Sequence, residues 1–167
     1  MEKPNTRQAI RMTEREAWAW LEKGGNCSLA TIDRDGYPHI VAMAYAIEDG
    51  DIVMTSFAKA QKVVNLYRNP RAAVMVESGR NYHTLKGVMV RGRAEIIANT
   101  EKVLHVLDLI GRRLTTGDGK QSHRDQAGVG DPISEQARRL ASKRVVIRLH
   151  PEKWASWDHS KLPPGKY

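Results

Sequence analysis

Cysteine, phenylalanine and long apolar runs are all scarce in this sequence. Cys27 is the only cysteine, so no internal disulfide can form, and the CxxC and HExxH spacings typical of metal sites are absent. The apolar run at 40–47 is far shorter than the roughly 18 residues that a membrane span needs. The first sixteen residues are polar and charged, which is not the pattern of a secretory signal. We therefore expect a cytoplasmic protein without a metal site, rather than a disulfide-rich secreted domain or a membrane protein.

Positive charge is the one unusual bulk property of the chain. The 167 residues are 41% hydrophobic, which is enough for a single domain spanning 1–167 with its own core. The net charge is +8, and most of the excess lies in the second half. Such an excess attracts nucleic acids, anionic membranes or phosphorylated small molecules. Neither a groove-reading helix nor an aromatic stacking platform is visible, so nucleic acid is the weaker hypothesis.

Turn signals divide the first half of the chain into one helix and three strands. Thr13 and Glu16 form a capping-box pattern at the start of a helix predicted at about 12–23. Strands are predicted at 27–32, 37–47 and 52–56, separated by short turns rich in aspartate and glycine. Strands joined by such short turns are antiparallel neighbours, because a parallel crossover needs many more residues.

The second half adds strands and a helical insertion. The expected elements are a helix at 58–68, strands at 71–77 and 87–97, a helical insertion at about 99–142 with a loop at 117–132, a strand at 145–149 and a C-terminal tail at 151–167. Six strands with few helices predict a small, closed or nearly closed antiparallel barrel of the α+β class, with flanking helices.

The segment from Thr55 to Lys62 is the best candidate for a phosphate site. A predicted strand ends in the hydroxyls of Thr55 and Ser56 and leads directly into a helix carrying Lys59 and Lys62. The first turn of a helix offers free N–H groups and a positive dipole end, and lysines three apart share one face. The alternative interpretation is a capped surface helix with solvated lysines.

The strand predicted at 37–47 alternates bulky and small side chains. Val41, Met43, Tyr45 and Ile47 occupy one face, and Ala42, Ala44 and Ala46 occupy the other. The alanine face leaves room for a flat ring or another subunit to approach the backbone. Close packing of the protein's own elements is an equally good interpretation.

The C-terminal stretch is unusually rich in aromatic and basic residues. Trp157, His159 and Lys161 follow Trp154 within a few positions, a composition that suits the lining of a ligand pocket. Anchoring of the chain end against a core or a partner would explain the same residues. No residue is assigned a catalytic role.

Several short motifs, taken together in their order, resemble the pyridoxamine 5′-phosphate oxidase-like split-barrel flavoproteins. The resemblance covers about residues 12–100 and rests on Leu29-Ala30-Thr31-Ile32, Asp35-Gly36-Tyr37-Pro38-His39, Thr55-Ser56, Lys62, Asn69-Pro70-Arg71-Ala72 and the stretch from Gly87 to Glu95.

This resemblance implies a homodimeric split barrel with two equivalent sites at the dimer interface. The family's cofactor is usually FMN, and a sister branch uses the 8-hydroxy-5-deazaflavin coenzyme. The cofactor-binding residues implied here are His39, Ile40, Val41, Ala42, Met43, Thr55, Ser56, Lys59, Gln61 and Lys62. Gln61 replaces the arginine usual in the family, and Lys59 is expected to supply that charge. The replacement weakens the case for FMN relative to the deazaflavin coenzyme.

Together these features predict an oxidoreductase that uses a flavin or deazaflavin on a small-molecule substrate. The alternatives are a non-catalytic protein that binds a cofactor or haem, with His83, His123 or His159 as candidate axial ligands, and, more weakly, a nucleic-acid-binding protein.

Overall fold

The computed structural model describes residues 5–116 and 134–163. Within them the chain forms α1 (Thr6–Ala9), α2 (Glu14–Lys23), β1 (Asn26–Ile32), β2 (Pro38–Ala44), β3 (Ala46–Glu48), β4 (Asp51–Phe57), α3 (Gln61–Arg68), β5 (Arg71–Ser78), β6 (Lys86–Ile97), α4 (Thr100–Thr116), α5 (Glu135–Ala141) and β7 (Arg144–Asp158). Two 3-10 turns, Tyr82–Thr84 and His159–Lys161, complete it. The loop predicted at 117–132 lies outside the described residues.

All strands belong to one antiparallel sheet in the order β2-β1-β5-β6-β7-β4-β3. Strands β2 and β3 form its two edges, yet only Tyr45 separates them along the chain. One residue spans only a few ångströms, so the sheet must curl until its edges meet at Tyr45. The fold is thus an α+β half-barrel with flanking helices, and the predicted class is confirmed at that level.

The predicted count of six strands is wrong, because the strand expected at 37–47 is split in two. Tyr45 interrupts it, and its side chain is fully buried with the hydroxyl donating to the Leu21 carbonyl at 2.5 Å. The residues before Tyr45 pair with β1, and those after it pair with β4. Alternating hydrophobicity continues across the break, so the pattern alone does not reveal the change of partner.

The end of the last strand was also predicted wrongly. Strand β7 was expected to stop at Leu149, but it continues to Asp158, so residues 151–158 of the predicted tail are part of the sheet. Pro151 lies inside this strand although proline cannot donate to a ladder. It is accommodated by a β-bulge, where the register against β6 shifts between Arg91 and Gly92. A Cβ at Gly92 would lie 1.8 Å from the His150 carbonyl oxygen, so the close approach requires glycine.

Arg113 of α4 fastens the point where the two edges meet. Its guanidinium lies 3.8 Å from the centroid of the Tyr45 ring and donates to the Tyr45 carbonyl at 2.6 Å. It also donates to the Glu22 carbonyl at 3.1 Å and to the carbonyls of Leu21 and Gly24. These carbonyls lie at the C-terminal end of α2, where a cation is favoured. One side chain therefore ties α2, α4 and the closure of the sheet together.

Two apolar clusters lie on opposite faces of the curled sheet. The inner core is enclosed by the sheet and closed by α2 and α3, with members such as Leu21, Leu29 and Val63. The outer cluster covers the outside of β3, β4 and the start of β7, where α4 and α5 pack with Val106, Ile110, Ala141 and others. The other half of the outside receives no helix in the described part of the chain. We name it the bare face, and it consists of Ser28, Ala30, Ile40, Ala42, Ala73, Met75, Met89, Ala155 and Trp157.

Candidate functional site

The start of helix α3 leaves its first-turn amides without a side-chain cap. The helix begins at Gln61 rather than at the predicted residue 58, and its N-cap is Ala60, which makes no side-chain hydrogen bond. An alanine side chain cannot accept from the first-turn N–H groups. The Ala60 and Val63 amides donate to the Phe57 and Ala60 carbonyls, so the amides of Gln61 and Lys62 are the ones available to an external acceptor. The side-chain cap of the alternative interpretation is absent, whereas its solvated lysine is present at Lys59. Free amides at the positive end of the helix dipole suit a phosphate group.

Lys62 turns back from this first turn towards strand β4. Its ammonium donates to the Ser56 hydroxyl at 3.4 Å, and Ser56 is buried. Desolvation by burial lowers the pKa of Lys62 from its usual value. Within residues 5–116 and 134–163, no carboxylate forms an ion pair with Lys62. A partly desolvated ammonium held by one long hydrogen bond is suited to receive an anion.

The other residues of the predicted phosphate segment are arranged differently. Ser56 lies on the inner side of β4, whereas Thr55 lies on the opposite side, between neighbours that face α4 and α5. Adjacent strand residues point to opposite faces, so the two hydroxyls cannot meet one small group. Lys59 is exposed in the turn before α3. The structure thus groups Ser56 and Lys62 at the start of α3, with Lys59 at its rim.

Gln61, which stands where the family usually has an arginine, uses its side chain for a contact within the protein. Its amide nitrogen donates to the Asn65 side-chain oxygen at 2.8 Å. Asn65 in turn donates to the Thr31 hydroxyl at 3.1 Å, and Thr31 donates to the His39 carbonyl at 3.4 Å. Sequence reasoning did not single out Asn65. The available signal was a polar residue between Val63 and Leu66, which are apolar residues of the buried helix face.

The strand predicted to lie beside a cofactor ring, residues 39–43, is the edge strand β2. Val41 and Met43 pack against the inner core, while Ile40 and Ala42 are exposed on the bare face. The predicted alanine face is only partly open, because Ala46, beyond Tyr45, is buried in the outer cluster and Ala44 packs against it. Ala42 and Ile40 are therefore the positions of this stretch where a planar group or another subunit can approach the sheet.

The C-terminal residues form a second group at the far end of β7. Trp157 covers Gly87, where an added Cβ would lie 2.3 Å from the indole ring. The His159 ring packs edge-on against Tyr82 with centroids 4.5 Å apart. Its Nδ1 atom is buried and has no hydrogen-bond partner in the described structure. An unpartnered buried nitrogen carries a desolvation cost, which a bound ligand with a suitable polar group would offset.

Lys161, the third predicted pocket residue, is engaged with the start of α2. Its ammonium donates to the Arg11 carbonyl at 3.0 Å and pairs with the Glu16 carboxylate at 2.8 Å. Hydrogen bonds from Lys161 and from Thr13 lower the pKa of Glu16 to about 2. Within one chain Lys161 therefore fastens the capping box of α2 rather than facing an open pocket.

The two groups of candidate residues lie far apart in one chain. Ser56 pairs with Val145 at the start of β7, and Trp157 lies near its end. About twelve residues of strand separate these positions, which corresponds to a path of roughly 40 Å along β7. One chain thus does not bring the phosphate candidates and the C-terminal candidates into a single site.

Other candidate features have simpler structural roles. Burial raises the pKa of the Cys27 thiol to about 12, which makes it a core residue and not a nucleophile. His83 is exposed beside Tyr82, and His123 lies outside the described residues. In the described ranges no three His, Cys, Asp or Glu side chains are grouped to hold a metal ion. No described helix is long and apolar enough to cross a membrane.

A curled antiparallel sheet whose edges meet at Tyr45, with flanking helices, defines a split-barrel fold. The chain belongs to the pyridoxamine 5′-phosphate oxidase family, whose sequence pattern it matches over residues 13–158. This confirms the resemblance noted in the sequence. No curated protein gives a significant match.

Solved structures place the chain among diverse relatives of this fold. It is 35% identical to the conserved hypothetical protein Rv2991 of Mycobacterium tuberculosis, with a TM-score of 0.78 over 96% of this chain and 95% of that one. An F420 reductase is 25% identical, with a TM-score of 0.58 over 81% of this chain and 93% of the other. The haem storage protein HutZ of Vibrio cholerae is 16% identical, with a TM-score of 0.62 over 87% and 97%, which shows the shared fold alone.

Proposed function

We propose that this protein is an oxidoreductase that binds FMN or, alternatively, the 8-hydroxy-5-deazaflavin coenzyme, and acts on a small-molecule substrate. The observation that carries the proposal is the start of α3, which has no side-chain cap, beside the partly buried ammonium of Lys62, which pairs with no carboxylate of residues 5–116 and 134–163. Family membership supports a flavin-type cofactor. When bound, such a cofactor supplies the hydride chemistry, and the protein supplies binding, orientation and exclusion of water.

The proposed phosphate site is formed by residues of one chain. The first-turn amides of α3 and the Lys62 ammonium hold the phosphate, Ser56 keeps Lys62 in place, and Lys59 adds charge at the rim. Gln61 is committed to Asn65, so its contribution to this site is indirect. The family's phosphate-binding pair is usually arginine and lysine. Glutamine in place of that arginine weakens the case for FMN relative to the deazaflavin coenzyme. The likeness to an F420 reductase supports the same alternative.

The proposed ring site lies on the bare face and requires a second copy of the chain. Ile40 and Ala42 offer an open stretch of β2, whereas Trp157 and His159 lie at the far end of β7. In a two-fold dimer through the bare face, we expect Trp157 and His159 of one copy to approach β2 and the phosphate turn of the other, while β2 and that turn belong to the same chain. Such a dimer contains two equivalent sites, and closed two-fold dimers are the commonest assembly.

The identity of the cofactor is tested by the absorption spectrum and mass of what copurifies, followed by titration of the emptied protein. Flavin bands or saturable binding of FMN or the deazaflavin coenzyme support the proposal. Absence of binding of either compound contradicts it. An intense Soret band on addition of haem, lost in His159→Ala or His83→Ala, would instead establish the haem-binding alternative.

The phosphate site is tested by Lys62→Ala. A charge-assisted contact with phosphate contributes about 1.5–3 kcal/mol, so we expect at least a tenfold rise in Kd of the cofactor. Thermal stability should change little because, among the described residues, the ammonium has one long hydrogen bond, to Ser56. Lys102→Ala, at an exposed position in the first turn of α4, is the matched control and should leave the Kd unchanged. Equal cofactor affinity in Lys62→Ala and the parent would refute the site.

A further inference from the structure

A chain of hydrogen bonds, buried at its centre and partly buried at its two ends, joins the start of α3 to strands β1 and β2. It runs from Gln61 to Asn65 at 2.8 Å, from Asn65 to the Thr31 hydroxyl at 3.1 Å, and from Thr31 to the His39 carbonyl at 3.4 Å. Asn65 and Thr31 are each only 1% exposed. The chain therefore crosses the protein interior between the helix that carries Lys62 and the strand that carries residues 39–43.

Burial of these polar side chains gives the contact a strict geometry. A buried amide or hydroxyl that loses its partner bears its full desolvation cost, whereas apolar neighbours can slide with little penalty. A satisfied buried network thus fixes the relative position of the elements it joins. On its other side the same helical turn is held to β4 through Lys62 and Ser56. The start of α3 is consequently fixed against both β4 and the β1–β2 pair.

We propose that Asn65 and Thr31 are positioning residues that set the distance between the phosphate-binding turn of α3 and the ring-binding strand β2. This inference rests on the proposed function and deepens it. A ligand that spans both places must match this distance, so the pair favours the phosphorylated form of a flavin-type ligand over the form without phosphate. Gln61 belongs to the same hydrogen-bond network, since its side chain in the first turn of α3 orients the Asn65 amide.

A network that only stabilises the fold and a network that positions the turn would respond differently to disruption. If the network only stabilises the fold, disrupting it lowers the melting temperature and leaves ligand preference unchanged. If it positions the turn, disrupting it weakens a ligand that contacts both ends more than a ligand that contacts only β2. The preference for FMN over riboflavin, expressed as a ratio of Kd values, is therefore the informative measurement.

Thr31→Val and Thr31→Ser form a matched pair for this test. Valine has nearly the shape of threonine but removes the hydroxyl, and serine keeps it. We expect Thr31→Val to raise the Kd of FMN about 5- to 30-fold, the range that corresponds to one or two lost hydrogen bonds. The Kd of riboflavin should change less than about twofold, and Thr31→Ser should retain the parental ratio. Asn65→Leu is a second variant that interrupts the chain at its centre.

The outcomes separate this inference from the proposed function. A parental protein that prefers FMN, with that preference reduced in Thr31→Val and kept in Thr31→Ser, supports it. Equal losses for both ligands, or no loss, overturn it while leaving the phosphate site intact. A parental protein that binds FMN and riboflavin equally refutes the phosphate site and the inference together. If the deazaflavin coenzyme is the ligand that binds, the same comparison is made with 8-hydroxy-5-deazariboflavin as the form without phosphate.

Discussion

The outside of the sheet has two halves, one covered by helices α4 and α5 and the other, the bare face, covered by no helix of the described residues. Over β3, β4 and the start of β7, helices α4 and α5 bury apolar residues such as Val53, Val106 and Val146 almost completely. Over β1, β2, β5 and the end of β7, the bare face leaves Ile40 62% exposed and Met75 half-buried. The first half is finished by the chain itself, and the second is left open.

The residue types on the two halves differ as well. The covered half contains branched aliphatic side chains such as Val53 and Val146, together with Ala44 and Ala46, which pack against a helix. The centre of the bare face is built from alanine, serine and methionine, and its margin is strongly basic. There Arg71 stands directly opposite Arg93, and Arg91 stands opposite Lys153. Part of the positive excess of the second half of the sequence is thus concentrated beside an open apolar surface.

We therefore expect the folding of one chain and the proposed dimerisation to depend on different parts of the sheet. Substitutions on the covered half should act on the stability of the single chain. Substitutions in the centre of the bare face should act on association, and through it on the proposed two-chain site. The proposed dimer is therefore expected to depend on the residues of the bare face and not on those of the covered half.

The largest effect is expected for Met75→Glu at the centre of the bare face. Met75 lies between Ser28 of β1 and Met89 of β6, so a dimer through this face would bury the new carboxylate without a partner. We expect the dimer dissociation constant to rise by three orders of magnitude or more, since an unpaired buried charge costs several kcal/mol. Sedimentation velocity over a concentration series measures it.

The control for this variant is Met75→Leu, which nearly conserves volume and should keep the parental association. At a protein concentration low enough for both proteins to be monomeric, the unfolding free energy of the Glu variant should stay within about 1 kcal/mol of the parental value, because the position is on the outside of the sheet. A parent that is monomeric, or a Glu variant that still dimerises, would show that the partner does not cover this face.

A smaller effect, on a different property, is expected for Ile110→Ala on the covered half. Ile110 of α4 is 7% exposed and packs in the outer cluster. Its truncation should lower the unfolding free energy by about 2–4 kcal/mol through lost transfer energy and a residual cavity. Chemical denaturation measures this change at fixed protein concentration. The dimer dissociation constant should not change; a loss of association equal to that of Met75→Glu would erase the distinction between the two halves.

The sequence predicted local elements well where local signals are strong. The capping box of Thr13 and Glu16 is present as expected, with the Thr13 hydroxyl accepting from the Glu16 amide at 3.3 Å. Short aspartate- and glycine-rich turns define the antiparallel neighbours β1–β2 and β3–β4. These features depend on residues a few positions apart, and their physical causes can be seen in the sequence itself.

The sequence could not predict features that depend on distant partners. Nothing local to Tyr45 shows that the chain changes from one sheet edge to the other there, because that depends on Arg113 and Leu21. The continuation of β7 past Pro151 depends on a glycine in another strand. In the candidate site, Lys62 was predicted to bind phosphate, but the role of Asn65 depends on Thr31, more than thirty positions away. The separation of Ser56, which pairs with the start of β7, from Trp157, near its end, is also visible only from the register of the strands.

The smallest effect is expected at the basic margin of the bare face, for Lys153→Glu. Lys153 and Arg91 are both exposed and directly opposite each other across β6 and β7, an arrangement that is mildly unfavourable for like charges. Glutamate at this position places opposite charges face to face. We expect the folded state to gain about 0.2–1 kcal/mol, a rise in Tm of roughly 0.5–3 °C at a fixed protein concentration. Lys153→Gln removes the repulsion without adding an attraction, and its Tm should fall between those of the parent and the Glu variant.

The gains in Tm of both variants should shrink in 1 M salt, because the pair is exposed and the screening length falls to about 3 Å. A lower Tm for Lys153→Glu than for the parent would mean that the basic margin is neutralised by an acidic surface, and comparison of the dimer dissociation constants of the two proteins would then show whether the second copy supplies it.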